Sequence, residues 1–87
     1  MPGPTRLVLY GRRWCHLCHE MQAELEALQS RYRFELEVID VDADSELEER
    51  LGELIPVLEH DGEELARYRL DADVFTARLS RKVSYSG

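Results

Sequence analysis

Cys15 and Cys18 are the only cysteines in this 87-residue chain, and two residues, His16 and Leu17, separate them. Two thiols this close suit reversible dithiol–disulfide exchange. One thiolate attacks an external disulfide, and the second thiol then displaces the mixed disulfide, so that the substrate leaves reduced and the protein leaves oxidised. Because Cys15 falls at the start of a helical pattern, unpaired backbone N–H groups and the positive end of the helix dipole favour its thiolate. Cys15 is therefore the expected nucleophile and Cys18 the expected resolving thiol. Arg12 and Arg13 precede the pair, His16 lies inside it, and His19 falls one helical turn after Cys15. Arg12 and His19 are read as groups that tune Cys15 below the ordinary thiol value of about 8.5. Each also fits a solvated surface position.

The same residues carry rival chemistries. Cys15, His16, Cys18 and His19 are soft ligands suited to zinc or copper, although one helical turn cannot aim all four at a single ion. His60 is the only other candidate ligand of that type, and it is read as a loop residue beside a turn. No resident metal is expected. Cys15-His16-Leu17-Cys18-His19 also fits C-x-x-C-H, the attachment motif for c-type haem, but Met21 is too near to serve as the opposite axial ligand. Asp40, Asp42 and Asp44 resemble the opening of a calcium loop until Ser45 and Leu51 stand where glycine and glutamate are required. These acids suit solvation and helix capping.

The elements that must position the cysteines can be read around them. Thr5 to Tyr10 is a short apolar run ending at Gly11, which suits a central strand. From about Cys15 to Tyr32, Cys18, Met21, Leu25, Leu28 and Tyr32 recur every three or four residues, the pattern of an amphipathic helix. Phe34 to Val41 suits a second strand entering the core at Val38-Ile39, and the right-handed crossover makes it a parallel neighbour of the first. Leu47, Leu51 and Leu54 suggest a short helix over 42–52, capped by Asp44 or Ser45. Ile55 to Glu59 and Glu64 to Arg69 read as strands joined through Asp61-Gly62, a hairpin signal. Asp71 or Asp73 caps a last helix through about Arg81, built on Val74, Phe75, Ala77 and Leu79, and Lys82 to Gly87 should fray.

Composition narrows the function classes. The chain has room for one domain, 1–87, with one core. Its net charge of −7 leaves no cation surplus for nucleic acid or an anionic membrane. The first 19 residues nevertheless hold three arginines and no acid, so the cysteines occupy a locally basic segment of an acidic chain. Leu7-Val8-Leu9-Tyr10 is too short for a signal core or a membrane span, which points to the cytoplasm. In that reducing compartment a close cysteine pair is redox-active or metal-binding before it is a staple.

The order β-α-β-α-β-β-α, with C-x-x-C opening the first helix, resembles the thioredoxin superfamily, and the shortness of the chain is most like small bacterial glutaredoxin-like proteins. That resemblance implies an α/β thioredoxin-like fold: a four-stranded mixed sheet with helices on both faces. It makes Ile55-Pro56 the superfamily's cis-proline site, with Ile55 offering its backbone to an extended substrate. Trp14, Arg13 and His16 become the remaining substrate-binding candidates. Glutathione, as reductant or substrate, and protein disulfides are the implied partners of a monomer that needs no resident cofactor. The inner His16-Leu17 pair departs from both thioredoxins and ordinary glutaredoxins. Leu9 stands where thioredoxins bury an acid, and Leu70-Asp71-Ala72-Asp73 lacks the glycines with which glutaredoxins hold glutathione. A redox-inert, protein-binding thioredoxin-like module is the remaining alternative, against which the intact cysteine pair argues.

Overall fold

The computed structural model describes residues 5–84. Strand β1, Arg6–Gly11, lies inside a four-stranded sheet of order β2-β1-β3-β4. Its alternation sends Leu7 and Leu9 into one core, while Val8 and Tyr10 face the other side half-buried. β2, Glu35–Asp40, runs parallel to it, from Arg6 opposite Glu35 to Gly11 opposite Asp40. β3, Val57–His60, is antiparallel to β1, and β4, Glu63–Arg67, is antiparallel to β3.

Between β1 and β2 runs α1, His16–Leu28, which buries Cys18, Met21 and Leu25 at helical spacing. The periodicity predicts a helix reaching Tyr32, but α1 ends at Leu28 with Gln29 as its C-cap and gives way to turns. The Ser30 hydroxyl donates to the Ala27 carbonyl at 2.9 Å, and the Gln29 side chain donates to the Phe34 carbonyl at 3.1 Å. These bonds fold the segment back toward β2. Tyr32 still packs inward, edge-on to Phe75 at 5.9 Å between ring centroids.

The three aspartates at and just after the end of β2 each have a structural partner. Asp40 accepts from the Asp42 amide at 2.9 Å and caps a single 3-10 turn over Val41–Ala43. Asp42 pairs with Arg12 at 3.1 Å. Asp44 accepts from the amides of Glu46 and Leu47 and caps α2, Ser45–Leu51, as the sequence suggests. Asp71 caps α3, Ala72–Ser84, in the same way through the amides of Asp73 and Val74. The helix backbone continues through Ser84 where the tail was expected to fray, and residues 85–87 lie outside the described residues.

Helices α1 and α3 cover one face of the sheet. Met21, Leu25, Phe75 and Leu79 close there over Leu7, Leu9 and Leu58. On the other face Val41, Leu51, Ile55 and Val57 form a second cluster against Cys18, with Tyr10 and Cys15 at its margin. The fold is thus the expected mixed four-stranded sheet with helices on both sides. Among the described residues no helix is long and apolar enough to cross a membrane.

Two sequence expectations are corrected by register. Val38 is 48% exposed rather than core, because β2 is an edge strand and only its inner side is covered. His60 is no loop residue: the turn is only Asp61-Gly62, both at positive φ, so His60 ends β3 on the same face as Leu58 and is 2% exposed. Its Nδ1 lies 3.1 Å from Arg78, which also pairs with Glu63. Since an arginine only donates, this Nδ1 accepts.

Candidate functional site

The turn between β1 and α1 presents the cysteines. Cys15 is the N-cap of α1, and its Sγ accepts from the Cys18 amide at 3.1 Å. No acid occupies the first turn of α1, so nothing there competes with a Cys15 thiolate for the helix dipole. A Cys15–Cys18 disulfide joins the two, with Cα atoms 5.1 Å apart. Cys15 is half-buried, whereas Cys18 is 4% exposed. This asymmetry suits an attacking sulfur that meets the substrate and a resolving sulfur that waits beneath it.

Ile55 and Pro56 are buried just before β3, and the peptide bond between them is cis. Ile55 belongs to the same apolar cluster as both cysteines, which brings the proline segment to the redox pair. The Pro56 carbonyl accepts from the Tyr68 amide at 2.8 Å, and the Tyr68 hydroxyl donates to the Glu53 carbonyl at 3.4 Å. Tyr68 has a φ of 68° and a 45% exposed side chain. No sequence signal marks it, because left-handed backbone is most often glycine.

The other candidates divide by where they point. Trp14 is 83% exposed directly before Cys15. Arg13 and His19 are exposed at the same end, and His16 is exposed and paired with Glu20 at 2.8 Å. Arg12 pairs with Asp42 and Glu48, at 3.1 and 3.3 Å, and also lines the cavity beside Cys18. His60 stands at the opposite end of β3 from Pro56, opposite Leu7 rather than Tyr10, so it adds no ligand to the cysteine pair. Among the described residues no group of three or more Cys, His, Asp or Glu side chains could hold a metal ion.

A cavity of about 310 Å³ opens between α1 and β2, lined by Leu9, Gly11, Arg13, Cys18, His19 and Asp40 among others. Gly11 also shapes the site. A Cβ built there would lie 3.0 Å from both Cβ and Sγ of Cys18, so the absent side chain is what lets Cys18 pack onto β1. Its place at the end of a strand just before the motif is the signal that could have revealed it. On the opposite face of β1, burial first and then the Glu59 carboxylate push the Tyr10 phenol above its ordinary value.

A mixed β2-β1-β3-β4 sheet, a dithiol opening the first helix and a cis-proline beside it define a member of the thioredoxin superfamily. Residues 6–80 match the family model of the glutaredoxin-like domain (DUF836), and the chain belongs to that family. It is 44% identical to protein Ne2328 from Nitrosomonas europaea, whose solution NMR structure superposes with a TM-score of 0.79 over 91% of this chain and 95% of that one. Protein XcR50 from X. campestris is 33% identical, with a TM-score of 0.65 over 86% of this chain and 96% of that one. Thioredoxin-2, described as a component of malaria parasite protein secretion machinery, shares the fold at 22% identity and a TM-score of 0.66, over 93% of this chain and 85% of that one. A search of curated proteins finds no significant match.

Proposed function

We propose that the chain is a thiol–disulfide oxidoreductase that reduces protein disulfides or glutathione mixed disulfides through Cys15 and Cys18. The observation that carries this reading is the pairing of a half-exposed N-cap Cys15 with a buried Cys18 across one helical turn. In the first step the Cys15 thiolate attacks one sulfur of the substrate disulfide. An S–S bond forms to Cys15, the substrate S–S bond breaks, and the departing thiolate takes a proton from water. In the second step Cys18 loses its proton and attacks Cys15 Sγ, forming the Cys15–Cys18 disulfide and releasing the second substrate thiol. The substrate has gained two electrons and two protons. A second thiol reductant, glutathione or a protein dithiol, returns the pair to the reduced form by the reverse exchange.

Helix α1 stabilises the thiolate through its N-terminal dipole and amides, with Arg13 as the nearby exposed cation and His16 and His19 exposed on the same helical turn. Trp14 supplies a large exposed aromatic surface beside Cys15 for the partner to cover. Ile55 and Pro56 form the shelf opposite, and Ile55 lies outside the strand ladders, which suits pairing with an extended substrate segment. The setting is the cytoplasm and the acting unit a monomer.

Cys18→Ser tests the function, because it stops exchange after the first step. Incubated with oxidised glutathione and with a disulfide-bonded protein such as insulin, the variant should accumulate a mixed disulfide on Cys15, identified by intact mass and peptide mapping. Whichever adduct dominates identifies the substrate class. Absence of any adduct, together with a wild-type protein that reduces neither compound, refutes the assignment.

A further inference from the structure

We propose that Arg12 is a positioning residue that ties the proline shelf to the cysteine loop, and that it acts through this tie rather than by tuning Cys15. The inference deepens the exchange function above and rests on it, but its physical content is the tie itself.

Arg12 reaches four parts of the site at once. Its carbonyl accepts from the Cys15 amide at 3.2 Å, which closes the turn that presents the nucleophile. Its Nη2 meets Asp42 at 3.1 Å in the 3-10 turn and Glu48 at 3.3 Å on α2. Its Nη1 lies 3.5 Å from the carbonyl of Gly52, the residue that ends α2 four positions before Pro56. One residue therefore links, by its backbone and its side chain, the two loops whose spacing defines the approach to Cys15.

Charge and packing both favour a tie over a tuner. The guanidinium meets two carboxylates, so this cluster adds no net positive potential at the sulfur. Among the described residues Arg12 Nε is buried with no hydrogen-bond partner, and the Nη contacts hold the side chain despite that orphaned donor. Gly52 is shaped to the arrangement as well. A Cβ there would overlap Glu48 Oε2 and come within 2.5 Å of the Glu48 carbonyl, so a side chain at 52 displaces the carboxylate that Arg12 grips. The planar fork matters, since a single ammonium cannot address Asp42, Glu48 and the Gly52 carbonyl together.

The test compares Arg12→Met, Arg12→Lys and Gly52→Ala with the wild-type protein. Three quantities are read: amide hydrogen exchange over residues 52–57, Cys15 alkylation by iodoacetamide against pH, and KM and kcat for insulin reduction. A tie predicts exchange over 52–57 faster by about tenfold in Arg12→Met. It also predicts KM rising more than kcat falls, an alkylation midpoint within about 0.2 of wild type, and partial recovery in Arg12→Lys. Gly52→Ala, whose Cβ also presses on the Glu48 backbone carbonyl, should loosen the segment with Arg12 intact, and Arg12→Lys keeps the question decidable where Arg12→Met folds poorly. An alkylation midpoint that rises in Arg12→Met while exchange over 52–57 stays unchanged overturns the proposal. If the wild-type protein reduces no disulfide, the function fails, while the exchange and alkylation results still decide the role of Arg12.

Discussion

Replacing Gly11 by alanine should show how closely the resolving cysteine is fitted. The new Cβ would sit 3.0 Å from Cys18 Cβ and 3.0 Å from Sγ, where ordinary carbon contacts are about 3.5–4.0 Å. Cys18 is carried on α1, which is pinned by Met21 and Leu25, so relief requires the helix to lift or the sulfur to rotate. Overpacking of this kind costs about 1–3 kcal/mol. Alanine recovers about 0.4–1 kcal/mol by restricting the unfolded chain. The net loss is about 1 kcal/mol, or a melting temperature lower by about 4–8 °C at this size. The loss should depend on redox state. A free Cys18 thiol can turn away, whereas the disulfide holds its sulfur toward Cys15, so the oxidised form bears more of the clash. An extra cost of about 0.7 kcal/mol there makes the reduction potential about 15 mV less negative. The assay is thermal melting of both redox forms, with equilibration in glutathione buffers read by mass. An oxidised Gly11→Ala protein melting within about 1 °C of wild type, or equal losses in the two forms, refutes the reasoning.

Two further predictions separate substrate contact from structure. Trp14 is 83% exposed, so Trp14→Ala should change stability by less than about 0.5 kcal/mol while raising KM for a protein disulfide several-fold. An unchanged KM removes Trp14 from the binding surface. Asp71 accepts from two otherwise unpaired amides of α3, so Asp71→Ala should cost about 1 kcal/mol in urea unfolding. A loss below about 0.3 kcal/mol would show that the cap contributes little there.

The features that proved legible in the sequence are those written within a few residues. The spacing of Cys18, Met21 and Leu25 gives the buried face of α1, the pairs Asp44-Ser45 and Asp71/Asp73 announce the helix starts that Asp44 and Asp71 cap, and Asp61-Gly62 announces the hairpin. Each is a local rule that the tertiary structure did not override. The errors arose where burial depends on register with a distant partner. His60 reads as a loop residue because a polar side chain next to a turn is usually solvated. Once the turn shortens to Asp61-Gly62, its parity with Leu58 carries it inward, where Arg78, eighteen positions on, meets its ring. Val38 errs the other way, since an apolar pair looks like core until the strand order places β2 at an edge.

The charge around the cysteines follows the same logic. A window of residues 1–19 contains arginines and no acids, so sequence alone places Arg12 and Arg13 together in a basic patch. Their destinations differ because β1 and β2 run parallel, which returns the chain after Asp40 to the same end of the sheet as Gly11. That return brings the acidic 3-10 turn and α2 against the cysteine loop. Arg12 faces them, while Arg13, one position later in the turn, remains exposed. In the proposed tie, the surplus that local composition records becomes, at Arg12, a structural link between loops. The same crossover brings Gly52, and with it Ile55 and Pro56, to the side of Cys15. Dithiol position and proline shelf thus share one topological cause, and a substitution that loosens the acidic cluster should be felt at the shelf before it is felt in the thiol chemistry.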